Sequence, residues 1–266
     1  MEHSNNKIAL STGSLYTYPF EESFRVAKEL GFDGIELLLG PPNQEFTPGD
    51  IQDLSEKHNI PVLSIHSPFK LNGTGNYWDS MIKSSNIANI IKPQLLNVHP
   101  PMGIFFKSYK INKFKKCLTK CRRILNGINL TVENMPIRFR NRILNYSKYA
   151  ISDPDKLYHF SKKEGIHLTF DTTHLGTMSL DIVQYFKKLN DRILNIHISD
   201  YDRYEHLEPG KGNLPLSKLL KTIKSYDYKG LLTIELQPLD KQGKNMAQEK
   251  NSIYNSLVFC KKFLEA

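Results

Sequence analysis

Eight short β-rich runs recur along the 266-residue chain, "KIALST", "GIELLL", "PVLSIHS", "LLNVHP", "INLTVEN", "IHLTFD", "ILNIHIS" and "LLTIEL". Helix-period stretches are expected between and after them, at about 20–31, 48–59, 78–92, 110–126, 154–164, 178–189, 214–226 and 245–265. Strict alternation of strand and helix implies a parallel sheet covered by helices. Eight such units match a closed (β/α)8 barrel better than an open sheet, so the expected fold class is α/β with one domain over residues 1–266. Glycines punctuate the scheme: Gly31 and Gly34 precede the second run, Gly127 the fifth, Gly165 the sixth and Gly230 the eighth. The longest irregular stretch, about 134 to 153, holds Arg138, Arg140 and Arg142 and follows a strand's C-terminal end, where barrel enzymes carry their chemistry.

In such a barrel the strand ends converge on one mouth, and here strand after strand ends in a metal-competent side chain. His66 closes the third run, His99 the fourth, Glu133 the fifth, Asp171 the sixth, His197 the seventh and Glu235 the eighth. His174 follows in "DTTH" and His206 lies in the loop after the seventh run, so five of nine histidines fall on this side. A single strand-end histidine is more often a satisfied structural group, and a single glutamate there often only caps a helix. Six in succession are different: crowding imidazoles and carboxylates on one rim costs much desolvation energy unless a divalent cation compensates them. Mixed nitrogen and oxygen ligands suit Zn2+ or Mn2+ and disfavour calcium.

Composition excludes some classes. No stretch approaches the roughly 18 consecutive apolar residues of a membrane span, and Met1 to Leu10 lack the features of a secretory signal, so a cytoplasmic protein is expected. Cys117 and Cys121 share one face of a helix and Cys260 is distant, which suggests idle thiols in a reducing compartment. The net charge of +9 is compatible with nucleic acid or phosphorylated partners, yet lysines spread along "YKINKFKKCLTKCRR" also read as a solvated face. Glu36 in "GIELLL" either enters the pocket or anchors the interior, and Trp78, Tyr16 and Phe69 lie near strand-end loops, as packing or as cover for a sugar face.

The set "IHSP", "VHPP", "VENMP", "DTTH", "HISD", "HLEPGKGNLPL" and "YKGLLTIEL" resembles the xylose isomerase-like TIM barrels, which include sugar and sugar-phosphate isomerases and epimerases and the abasic-site endonuclease IV enzymes. The resemblance runs from about residue 8 to 238. In the isomerase and epimerase branch it implies one divalent metal at Glu133, Asp171, His197 and Glu235, with the two glutamates as acid and base and His174 on the substrate. For the endonuclease branch it implies three zinc ions on His66, His99, Glu133, Asp171, His174, His197, His206 and Glu235. Departures from the endonuclease pattern are Tyr204, where that branch has an aspartate, "NMPIRF" after Glu133, and "DTTHLGTMS".

The isomerase reading has a sugar or sugar phosphate as partner. Glu133 and Glu235 catalyse proton transfer through an enediolate. His174 and His206 steady the developing oxyanion, and Lys211, Arg138 or Arg140 receives a phosphate. The alternative is a zinc-dependent abasic-site endonuclease acting on DNA, for which His66 and His99 are the deciding residues. A lyase on the same enolate chemistry and a barrel that only binds ligand complete the alternatives.

Overall fold

A computed structural model describes residues 6–40, 46–71, 73–103, 105–140, 144–239 and 242–265, without the side chains of 138–146 and 265. Each β-rich run forms a strand: β1 (Ile8–Ser11), β2 (Gly34–Leu38), β3 (Val62–His66), β4 (Leu95–Val98), β5 (Asn129–Glu133), β8 (His167–Asp171), β9 (Ile193–Ile198) and β10 (Leu231–Ile234). All eight pair in parallel and close into a barrel, with β10 hydrogen-bonded back to β1. Around it stand α1 (Glu21–Leu30), α2 (Pro48–His58), α3 (Tyr77–Ile91), α4 (Lys107–Leu125), α5 (Pro154–Glu164), α7 (Ile182–Leu189), α8 (Leu216–Ser225) and α9 (Met246–Glu265). This is the (β/α)8 architecture expected from the alternation.

Two segments differ from the sequence expectation. Within the stretch expected to be structureless, β6 (Arg138–Arg140) and β7 (Leu144–Tyr146) pair antiparallel with each other, after β5 in the chain. The helix expected from 178 starts only at Ile182, because the Asp181 carboxylate caps it by accepting from the N–H groups of Val183 and Gln184. Before it, a separate short helix, α6 (Thr172–Gly176), begins directly at the end of β8.

Side chains alternate across each strand. Outward residues such as Leu10, Ile35, Ile65, Leu96, Val132, Phe170, Ile196 and Leu232 are fully buried against the helices and make the main apolar core. The interior is organised in levels: Ala9, Leu63 and Leu231 form a small apolar cluster at the foot of the strands. Above them comes a polar layer in which Thr131 and Thr169 share a hydrogen bond at 2.8 Å and Thr233 donates to Asn195 at 2.9 Å. The metal-competent strand ends crown that layer.

The register of β2 on β3 is irregular. Pairing jumps from Ile35↔Val62 to Glu36↔Ser64, leaving Leu63 as an extra residue, a β-bulge. Leu63 fills the space beside Gly34, where an added Cβ would stand 2.6 Å from Leu63 Cγ and 2.5 Å from the Pro61 carbonyl oxygen. The thiols of Cys117, Cys121 and Cys260 are free and buried, and no helix among the described residues is long and apolar enough to cross a membrane. Gly34→Ala is expected to destabilise the protein by about 1–3 kcal/mol through overpacking at the barrel foot, as measured by urea unfolding; an unchanged midpoint would contradict the close approach described.

Candidate functional site

At the mouth, one ligand atom from each of Glu133, Asp171, His197 and Glu235 lies within 4.8 Å of the others. His197 is the hub: its Nδ1 is 2.8 Å from Glu235 Oε2, 3.6 Å from Asp171 Oδ2 and 3.8 Å from Glu133 Oε1. Glu133 ends β5 and Asp171 ends β8, while Glu235 stands one residue beyond β10, held by its N–H to the Ile198 carbonyl at 3.4 Å. Asp171 divides its carboxylate between two tasks. Oδ1 accepts the His174 N–H at 2.7 Å and so caps α6, and Oδ2 is left facing the cluster. The pairing of a strand-end aspartate with a histidine three residues on is therefore a helix cap as well as a donor set.

Three further groups share these residues, one of them Glu36, His66 and His197. His66 Nε2 lies 2.8 Å from His99 Nε2 and 3.2 Å from Glu133 Oε2, and His99 Nε2 is 3.5 Å from the same oxygen. On the other side Asp171, His174 and His206 gather within the same 4.8 Å limit. His174 Nδ1 is 2.9 Å from the Asn134 carbonyl oxygen and 3.0 Å from Glu133 Oε1, so that ring nitrogen carries a proton. His206 sits in a left-handed backbone conformation, φ 57°, with its Nδ1 3.2 Å from Ser199 Oγ. All seven residues expected as metal ligands thus fall in one contiguous set.

The donor atoms are conspicuously unsatisfied. Glu133 Oε1, Asp171 Oδ2, His197 Nδ1 and Glu235 Oε2 are buried without an aligned hydrogen bond, as are His66 Nδ1 and His99 Nδ1. Buried polar groups are normally paired, and a set of such orphans aimed at one point fits a cation of the zinc or manganese kind. Burial pushes the Glu133 carboxyl up, but the charge on His197 and the nearby His174, His66 and His99 rings outweigh it and hold Glu133 well below the carboxylate range. Glu235 is lowered likewise, burial being outweighed by His197. Burial opposes charge on the histidines too, yet Asp171 and Glu133 lift His174 to about 9, and Glu36, Glu235 and Glu133 lift His197 well above its ordinary value. His66 is raised by Glu133 and Glu36 against burial, whereas at His99 burial prevails and lowers the value.

Lys211, expected to receive a phosphate, is exposed on a turn closed by its N–H to the Glu208 carbonyl at 2.9 Å, outside the cluster. Arg138 and Arg140 lie on β6 with their side chains outside the described residues, as does all of Arg142. Tyr204 is 75% exposed, and Asp200 cannot supply the ligand that Tyr204 lacks: its Oδ1 accepts from the Tyr201 and Leu214 N–H groups and its Oδ2 from Gly210 N–H. That carboxylate instead folds the loop after β9, where an added Cβ on Gly212 would stand 2.5 Å from Asp200 Oδ1.

Sequence reasoning missed two amides, since amides are poor metal ligands and carry no such signal. Asn97 donates to Glu133 Oε2 at 2.7 Å, and Asn134 brackets Asp171 by accepting its N–H at 2.8 Å and donating to its carbonyl at 3.0 Å. Glu36, undecided from sequence, is wholly buried with Oε1 3.0 Å from His197 Nε2. Beside His99 opens a cavity of about 200 Å³ lined by Phe69, Tyr77, Trp78, Pro101, Met102 and Lys110. Phe69 stacks on the His99 ring at 4.4 Å between centroids.

A parallel barrel with carboxylates and imidazoles crowded at the C-terminal mouth defines a barrel protein with a cluster of metal-competent groups at its mouth. The family it belongs to follows from the sequence: residues 24–255 match the xylose isomerase-like TIM barrel family, of which this chain is a member. Among its relatives, an uncharacterized protein of Mycobacterium leprae is 24% identical over 284 residues, spanning 97% of this chain and 98% of that protein. Fructoselysine 3-epimerase of Escherichia coli O157:H7 is 24% identical over 248 residues, 82% of this chain and 86% of the enzyme. The fold is shared with the crystal structure of an AP endonuclease, family 2, from Brucella melitensis (TM-score 0.72, 20% identity, covering 91% of this chain and 97% of that one). It is shared also with the IOLI protein with a binding zinc atom (TM-score 0.76, 12% identity, covering 98% and 100%).

The acids around His197 favour its protonated form, and a metal held at Nδ1 must displace any proton there. Adding zinc to metal-free protein in weakly buffered solution at pH 7 is expected to release protons, and affinity is expected to fall as the pH is lowered. Zinc binding with no acidification would contradict His197 as a ligand.

Proposed function

We propose that this protein is a divalent-metal-dependent isomerase or epimerase acting on a sugar or sugar phosphate, with Glu133 and Glu235 as the acid and base pair. The observation that carries the reading is that both glutamates approach the His197 Nδ1 region, from β5 and from beyond β10, two strands that are not neighbours in the barrel. The fructoselysine 3-epimerase likeness supports the same chemistry.

Glu133, Asp171, His197 and Glu235 would hold the metal. When bound, it supplies Lewis acidity that polarises neighbouring substrate oxygens and acidifies the carbon-bound proton between them. One glutamate then removes that proton as general base and can hand it to the adjacent oxygen for a ketose–aldose exchange; for epimerisation the other glutamate first takes a proton from water and then returns it to the opposite face, while the first gives its proton up to water. Both carboxyls are held in the ionised form, the state a base requires, by the histidines around them. His174, whose Nδ1 proton is held by the Asn134 carbonyl, presents its other nitrogen to substrate, with His206 packed edge-on against it at 5.3 Å between centroids. Phe69 and the aromatic cavity wall next to His99 exclude water and offer an apolar face to the substrate.

Incubation of the metal-loaded protein with a panel of ketoses and ketose phosphates in deuterated water is expected to incorporate deuterium at the isomerised carbon of the true substrate. Glu235→Gln should lower turnover about 10²–10⁴-fold while leaving the fold intact. Full activity in that variant would remove Glu235 from the mechanism.

A second reading, zinc-dependent cleavage of abasic-site DNA, is favoured by one observation: His66 and His99 flank Glu133 closely enough to hold a further ion. Against it stand Tyr204 and the fully engaged Asp200. Under this reading zinc-loaded protein cleaves an abasic-site duplex and His99→Ala abolishes cleavage; an inert zinc-loaded wild type removes it.

A further inference from the structure

We propose that Glu36 is a positioning residue that orients His197 from inside the barrel, fixing which imidazole nitrogen it turns to the mouth. The proposal rests on the metal reading of the Glu133, Asp171, His197 and Glu235 group.

Glu36 projects from β2 into the polar layer and has no exposure to solvent. Its two oxygens are in different circumstances. Oε2 accepts from Ser64 Oγ at 2.8 Å and from Asn195 Nδ2 at 2.9 Å. Oε1 has neither a hydroxyl nor an amide partner, and faces only imidazoles: His197 Nε2 at 3.0 Å and His66 Nδ1 at 3.7 Å. A buried carboxylate oxygen with no other donor demands an N–H from what it faces. For His197 both ring nitrogens face acids, Nδ1 at 2.8 Å from Glu235 Oε2 and Nε2 at 3.0 Å from Glu36 Oε1; a cation bound among Glu133, Asp171 and Glu235 would take the Nδ1 lone pair, and the proton that stays is the one on Nε2 facing Glu36. His66 Nδ1, at 3.7 Å, stands too far from Oε1 for a hydrogen bond, and its Nε2 lies nearer to Glu133 Oε2, at 3.2 Å. Glu36 thereby sets the His197 ring, the arrangement by which a ligating histidine is commonly held by a carboxylate behind it.

The bulge at Leu63 is what makes this possible. Because pairing resumes as Glu36↔Ser64, the serine stands beside the glutamate and pins Oε2, so Oε1 is the oxygen left for the rings.

Glu36→Gln tests this in a specific way. The Ser64 and Asn195 donors retain the amide oxygen, so the new NH2 group faces His197 Nε2 and makes that nitrogen an acceptor. The ring proton then moves to Nδ1, the nitrogen needed for metal. Cobalt and zinc affinities, measured by chelator competition, are expected to fall about 10–100-fold with an altered cobalt absorption spectrum, while the circular dichroism of the metal-free protein stays unchanged. Glu36→Asp, which keeps the acceptor, should recover part of the affinity. Wild-type affinity and spectrum in Glu36→Gln would overturn the proposal alone. Loss of one whole metal equivalent with an unchanged remaining spectrum would make Glu36 a ligand and overturn it too. A wild-type protein that binds neither cobalt nor zinc would overturn both this proposal and the metal reading beneath it. Should Glu36→Gln fail to fold, the histidine ring nitrogen chemical shifts of the zinc-loaded wild type decide the matter: a proton on His197 Nε2 is expected, and one on Nδ1 refutes the role.

Discussion

Everything at the barrel mouth follows from four carboxylates, the fully buried Glu36, Glu133 and Asp171 and the partly buried Glu235, sharing one small volume with a ring of histidines. Like charges so close repel strongly where water is excluded, and each removal from water is costly. Without a cation the imidazoles fill that role, drawn to their protonated forms by the acids around them. The balance explains why Asn97, Ser64 and Asn195 all turn donors toward the acids: each spreads the negative charge onto a fixed dipole and holds a carboxylate still, while Asn134 holds the backbone of Asp171. Rigidity here is a by-product of electrostatic necessity.

The barrel resolves a conflict between this polar cluster and stability. A closed sheet needs a filled interior, and here filling changes character along the axis, from Ala9, Leu63 and Leu231 through hydrogen-bonded threonines and asparagines to the acids and imidazoles. The large apolar burial that stabilises the fold lies outside the strands, beneath the helices. Chemistry at the mouth can thus vary with little cost to the core, which is what permits one barrel to serve many reactions.

Much of this was legible in the sequence because the relevant signals are local and periodic. Alternating runs located every barrel strand, and position within each run singled out His66, His99, Glu133, Asp171, His197 and Glu235 as neighbours in space. What escaped depends on geometry that composition does not encode. Five residues, Thr172–Gly176, are too few to show a helical period, so the capping task of Asp171 was invisible. The hairpin of β6 and β7 carries arginines rather than the alternating apolar pattern of a core strand. Glu36 could not be assigned because its partner across the sheet depends on the extra residue at Leu63, and asparagines announce nothing until the acids they serve are seen.

The cavity wall beside His99 has an optical corollary. The chain contains a single tryptophan, Trp78, packed edge-on against Tyr77 with the Lys113 ammonium 5.0 Å from its ring centroid. Tyr77 in turn donates its hydroxyl hydrogen to the His99 backbone carbonyl. Indole emission from this protein therefore originates at one address, two rings from the imidazoles, under a nearby positive charge that tunes its colour. Whatever enters the cavity changes the surroundings of that one fluorophore, so the molecule carries its own unlabelled reporter of occupancy at the rim.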